Sequence, residues 1–75
     1  MYHTVEFHGD LTVDLEISPK QPLERLRIAK GTRLRAQLKP YVVETPSGPV
    51  EVADLFFADR TATRMVPFGL FSFMD

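Results

Sequence analysis

The sequence contains no cysteine and no tryptophan, and it has no run of the ~20 apolar residues that a membrane-spanning helix requires. Without cysteine, neither a disulfide framework nor a thiolate metal site can form. The first residues, Met1 to Glu6, include neither the basic start nor the apolar stretch of a secretory signal. We therefore expect a cytoplasmic protein that does not enter a membrane.

Recognisable catalytic motifs are also missing. The chain has no nucleophile motif, no phosphate-binding glycine loop and no dinucleotide fingerprint. Asp54 and Asp59, with Arg60 and Arg64 nearby, are the best candidates for acid–base work, but their spacing is not diagnostic. We interpret them as solvated loop charges and predict that the protein is not an enzyme.

The two histidines raise the hypothesis of a zinc-like site made of His3, His8 and Asp10. The strand pattern described below places His3 on an apolar face and His8 in a turn. We therefore predict no metal and no other cofactor.

With 75 residues, the chain fits a single domain, residues 1–75, because a chain of this size buries only ~60% of its unfolded surface. Apolar residues make up 44% of it and charged residues 25%, which is ordinary for a globular protein and too apolar for a disordered one. A domain this small depends on its own core or on oligomerisation.

Apolar and polar residues alternate along 11–18, the period-2 pattern of a strand with one buried face. Residues 4–7 alternate in the same way, and His8-Gly9-Asp10 supplies turn residues between the two runs. This predicts a hairpin in which opposed residues share a face. The expected pairs are Phe7 with Leu11, Val5 with Val13, and His3 with Leu15.

Residues 23–30 fit either a two-turn helix, between Pro22 and Gly31, or a strand in which Leu26 and Ile28 alternate with arginines. The strand is slightly favoured, paired with residues 33–39 through a loop of Lys30, Gly31 and Thr32. That hairpin would set Ile28 against Leu34 and Arg27 against Arg35.

Alternation continues over 33–39 and 41–45, and Pro40 predicts a corner or a bulge between them. Residues 46–49 form a strong turn signal before Val50-Glu51-Val52. A four-residue loop would pair Val43 with Val52 and Glu44 with Glu51.

Residues 55–57 are a short apolar run, 58–63 are predicted to be an exposed loop, and Leu70, Phe71 and Phe73 are predicted to form a last short strand. Short strands at this spacing predict an all-β fold, or a mostly β fold with at most one short helix. We expect a five- to six-stranded antiparallel barrel or sandwich, SH3-like in size.

The net charge of −1 hides three zones. Residues 1–19 carry four acidic and no basic residues (−4), residues 20–39 seven basic residues against one acidic (+6), and residues 40–75 five acidic against two basic (−3). Strand periodicity places the basic side chains of the middle zone on one outer face, which we predict to be a partner-binding surface. Its residues are Arg25, Arg27, Arg33, Arg35 and Lys39.

This face predicts an anionic partner, since like charges side by side destabilise a sheet unless they are solvated or bind an anion. The small negative net charge and the lack of aromatics among the arginines disfavour nucleic acid. An acidic protein surface is therefore the first expectation and nucleic acid the alternative. A solvated face without a partner is the third interpretation.

Five of the six phenylalanines lie in the last twenty residues. They either complete the core, which we favour, or form an oligomer contact near the end of the chain through Phe68, Phe71 and Phe73. Together these features predict a small non-catalytic interaction module, an accessory or regulatory subunit that binds an acidic partner.

Overall fold

A computed structural model describes all of residues 1–75, and it contains one antiparallel sheet of seven strands. The strands are β1 (His3–Phe7), β2 (Leu11–Glu16), β3 (Glu24–Ile28), β4 (Arg33–Thr45), β5 (Gly48–Phe57), β6 (Ala62–Pro67) and β7 (Phe71–Phe73). They lie in the order β3-β2-β6-β5-β4-β1-β7, and one 3₁₀ turn, Phe68–Leu70, precedes β7. The structure contains no membrane-spanning helix. The mostly β prediction is confirmed, with seven strands in place of five or six.

The sheet curls into a half-barrel with its core on the inner face. Except at the bulge between β5 and β6, alternate residues of the strands point inward, as the period-2 pattern predicted. Apolar residues lie opposite each other on neighbouring strands along this inner face. Examples are Val5 with Leu34, Leu38 with Leu55, and Leu11 with Ile28. The buried core cluster consists of Val5, Phe7, Ile28, Ala36, Ala53, Leu55, Phe57, Val66 and Phe71.

The predicted hairpin between β1 and β2 is wrong. β1 lies between β4 and β7, whereas β2 lies between β3 and β6. The amide of Phe7 donates to the carbonyl of Thr32, and the amide of His8 donates to that of Leu70. The end of β1 therefore contacts the loop after β3 and the turn before β7, and not β2. Alternation defines which face a residue occupies, and both strands obey it, but it does not define the neighbouring strand.

Residues 24–28 form a strand, as favoured, but β3 pairs with β2 and not with β4. Arg25 therefore lies opposite Asp14, and Arg27 lies opposite Thr12. This register removes the predicted contact between Arg27 and Arg35, in agreement with the cost of like charges in opposed positions.

The hairpin of β4 and β5 has a different register from the predicted one. β4 runs without interruption through Pro40, so the expected corner is absent. A two-residue turn, Pro46-Ser47, pairs Val43 with Val50 and Glu44 with Pro49, and Glu51 lies opposite Val42. Gly48 has a φ of 114°, which a residue with a Cβ rarely adopts, and this conformation allows the shorter turn.

Strand β6 was missed, because residues 62 and 63 were assigned to an exposed loop. Both Ala62 and Thr63 are buried, and the connection between β5 and β6 is confined to 58–61. A β-bulge between Ala53 and Leu55 shifts the register of β5 and β6. The bulge breaks the alternation of apolar residues, so β6 has no period-2 signal.

Candidate functional site

All five predicted basic residues lie on the outer face of the sheet. Arg25 and Arg27 are opposite Asp14 and Thr12 of β2, which share a face with Glu16. Glu16 pairs with Ala62, Ala62 with Phe56, and Phe56 with Gln37, which shares the outer face with Arg33, Arg35 and Lys39. The prediction of one face is therefore correct.

The five residues nevertheless form two separate groups. We call Arg25 and Arg27 the β3 stripe, and Arg33, Arg35 and Lys39 the β4 stripe. Strands β2, β6 and β5 lie between them in the sheet. Since β2 carries Asp14 and Glu16 on the same outer face, an acidic strand separates the two basic stripes.

Several of these side chains have partners within the sheet. Arg33 Nε lies 3.0 Å from Glu6 Oε1. The guanidinium of Arg35 donates to Thr4 Oγ1 at 3.2 Å and to the carbonyl of Tyr2 at 3.4 Å. Arg35 is therefore held in place while its positive charge stays unbalanced, because neither acceptor is a carboxylate.

Asp54 of β5 is a buried carboxylate, 7% exposed, that lies opposite the extra residue of the bulge on β6. Its Oδ1 accepts hydrogen bonds from the hydroxyl of Tyr41 at 2.8 Å and from the amide of Met65 at 3.1 Å. Its Oδ2 accepts one from Nη1 of Arg64 at 3.1 Å. The interpretation of Asp54 as a solvated loop charge is wrong, because it is buried on β5 and its partners lie on β4 and β6.

These contacts define the charges of the cluster. Burial by itself raises the pKa of Asp54, but the hydrogen bonds from Tyr41, Met65 and Arg64 outweigh it and hold the pKa below the usual 3.8. The hydrogen bond to Asp54 raises the pKa of Tyr41, and the same carboxylate raises that of Arg64. The cluster holds one fixed ion pair and a neutral phenol, which suits a structural tie and not proton transfer.

Arg64 extends this cluster of β4, β5 and β6 to a fourth strand, β2. Its Nη2 lies 3.4 Å from Oε2 of Glu16, and its guanidinium carbon lies 5.1 Å from the centre of the Phe56 ring. Met65, the next residue, has a φ of 58°, which is unusual for a residue with a Cβ. Arg64 thus joins β2, β5 and β6 where the bulge redirects the chain.

The three aromatic residues predicted as an oligomer contact have different environments. Phe71 is 3% exposed and belongs to the core, with its ring 5.3 Å from that of Phe68 and 6.1 Å from that of Phe7. Phe73 is 48% exposed and stacks edge-on against His3 at 5.3 Å. Completion of the core is therefore confirmed for Phe71, and only Phe73 offers a large exposed ring.

The two histidines and Asp10 each have a different neighbour. His3 Nδ1 lies 3.7 Å from Asp75 Oδ1, and His8 Nε2 lies 2.9 Å from Ser72 Oγ. Asp10 Oδ1 accepts a hydrogen bond from the amide of Lys30 at 2.7 Å. The structure does not bring these three side chains together as a ligand set.

Comparison of the chain with models of known protein families, with curated protein sequences and with solved structures found no match.

Proposed function

We propose that the protein is a small non-catalytic interaction module, an accessory or regulatory subunit that binds an acidic partner surface. The β4 stripe is the principal contact and the β3 stripe a second one. The observation that supports this most directly is the exposed row of Arg35 and Lys39 on a central strand, where neither side chain forms an ion pair.

The pairing of β4 on both sides favours the β4 stripe over the β3 stripe. Strand β4 is 13 residues long and is paired with β5 on one side and β1 on the other, whereas β3 is an edge strand. Arg33 and Arg35 occupy successive outward positions, about 7 Å apart along the strand, and Lys39 lies about 13 Å from Arg35, beyond Gln37. Positive charges at fixed separations attract and orient a negatively charged surface.

The balance of charges also favours the β4 stripe as the principal contact. Arg33 is paired with Glu6, and Asp54, which lies opposite Lys39, is paired with Arg64, so Arg35 and Lys39 form no ion pair of their own. On β3, Arg25 lies opposite Asp14, which weakens the field of that stripe.

The test is capture of binding partners by immobilised protein, quantified by mass spectrometry, with the double variant Arg35→Glu and Lys39→Glu. We expect the variant to lose the captured acidic proteins, and we expect the wild-type interaction to weaken as salt is raised. Lys20→Glu with Lys30→Glu is the matched control, because it changes the net charge equally at loop positions outside both stripes. Unchanged capture by the β4 variant would refute the proposal.

Nucleic acid is tested in parallel with labelled single-stranded and duplex DNA and RNA at low ionic strength. The proposal requires no binding that depends on Arg35 and Lys39. If the wild type bound these probes with a steep salt dependence and the double variant did not, a phosphate-binding function would replace the proposed one.

A further inference from the structure

The strands β2 and β6 are adjacent in the sheet but pair at only one end. The paired residues are Leu15 with Thr63 and Glu16 with Ala62. The bulge beside Asp54 and the positive φ of Met65 turn β6 away from β2 beyond this point, as bulges bend the strand that carries them. A groove of about 520 Å³ therefore opens between residues 11–14 of β2 and residues 64–67 of β6.

The β2 wall of this groove has unused backbone hydrogen-bonding groups. In an antiparallel ladder, every second residue directs its N–H and C=O away from its partner strand. Residues 11–14 are paired with β3 on one side only, so the alternate backbone groups of this segment face the groove. On the β6 wall, the amide of Met65 already donates to Asp54 and Pro67 has no amide. The β2 wall is thus the edge that can accept a strand.

The side chains that line the groove are apolar on the inner face of the sheet and charged on its outer face. Leu11, Val13 and Val66 line it on the inner side. Leu23 and Leu70 also line it, and Leu23 is 57% exposed. Exposed apolar side chains gathered around a groove are typical of binding sites.

The outer rim of the groove is acidic. The charged residues that line it are Asp14, Glu16 and Arg64, which leave a net charge of −1. An inserted strand directs alternate side chains to the two faces of the sheet. Its inward side chains would meet leucine and valine, and its outward side chains would meet carboxylates.

We propose that this groove binds an extended segment of another protein by strand addition to β2, and that the segment has apolar residues at alternate positions with basic residues between them. This site is distinct from the β4 stripe, which binds acidic surfaces. Main-chain hydrogen bonds supply affinity in such complexes, and alternate side chains supply specificity.

The test is titration of isotope-labelled protein with a short synthetic peptide in which valine and lysine alternate, followed by NMR of the backbone amides. We expect the largest shifts in residues 11–14 and at Leu23 and Leu70. A peptide of the same composition, with the valines and lysines in two blocks, should bind about tenfold more weakly, because it cannot present one apolar face.

Variants separate the groove from the rest of the surface. Leu23→Ser should weaken binding of the alternating peptide about tenfold, while Val42→Ser, at an equally exposed position on β4, should leave it unchanged. Asp14→Asn should weaken it about threefold, and Glu44→Gln should not. Arg35→Glu with Lys39→Glu should not weaken it, so failure of this proposal is distinguishable from failure of the proposed function.

Three results would overturn the inference. The first is equal binding of the alternating and block peptides, and the second is shifts centred on the free edges of β3 or β7. The third is concentration-dependent shifts of the groove residues without peptide, which would show that a second copy of the chain occupies the groove.

Discussion

Asp54 shows how one buried carboxylate can organise a small sheet. A carboxylate accepts several hydrogen bonds, and Asp54 receives one each from Tyr41, Met65 and Arg64, which lie on β4 and β6. Without Asp54, the amide of Met65 would lose its hydrogen-bond acceptor. The residue therefore holds the bulge in place, and the bulge in turn opens the groove beside β2.

We predict that Asp54→Asn destabilises the protein by about 2 kcal/mol at neutral pH, because an amide cannot replace the carboxylate as acceptor for all three donors. The folded pKa of Asp54 lies below 3.8, so the stabilisation is complete above this pH and is lost as the pH falls through the folded value. Urea unfolding of both proteins from neutral to acidic pH measures this difference.

The matched control is Asp14→Asn, since Asp14 is exposed and forms no side-chain hydrogen bond or ion pair. Its effect should remain within about 0.5 kcal/mol. A loss for Asp54→Asn that did not shrink in acid would contradict the role assigned to its charge.

Among the secondary-structure elements, the short strand β7 completes the half-barrel. β7 has only three residues, and it pairs with β1 through Phe71, Ser72 and Phe73. Phe71 points into the core and Phe73 lies at the rim, in accordance with the two-residue period of a strand. The oligomer contact stays a prediction for Phe68 and Phe73.

We predict that Phe71→Ala costs about 3 to 4 kcal/mol of stability, the range for truncation of a buried phenylalanine. Phe73→Ala, at a half-exposed position of the same strand, should cost about 1 kcal/mol or less. Thermal and urea unfolding of both variants measure the contrast. Equal losses would mean that β7 does not dock as described.

In the molecule as a whole, β2 and β3 are the most weakly attached part of the sheet. They pair with each other over five residue pairs, but only two pairs join β2 to β6. β4 and β5, by contrast, pair over ten positions in the middle of the sheet. Local opening should therefore begin at β2 and β3.

Native-state hydrogen exchange should reveal this difference. We expect ladder amides of β2 and β3 to exchange at least about tenfold faster than those of β4 and β5, through an opening that costs less than global unfolding. Binding of the alternating peptide should slow exchange selectively in β2. Uniform exchange rates across all four strands would show that the sheet opens as one unit.

The local sequence determined which residues face inward, because the period of a strand is independent of its neighbours. Residues 11–15, 24–28 and 33–38 all show the inner and outer faces that their alternation predicted. For the same reason, the placement of all five basic residues on the outer face was predictable from sequence.

Strand order was decided only by the tertiary structure, because alternation is equally satisfied by any partner of matching period. The loop contacts of Phe7 and His8 send β1 and β2 to different neighbours, and this separates the β3 stripe from the β4 stripe. Strand β6 could not be recognised from the sequence, because the residue inserted at the bulge opposite Asp54 interrupts the alternation. The Asp54 cluster and the groove depend on contacts between residues distant in sequence, so no local pattern could reveal them.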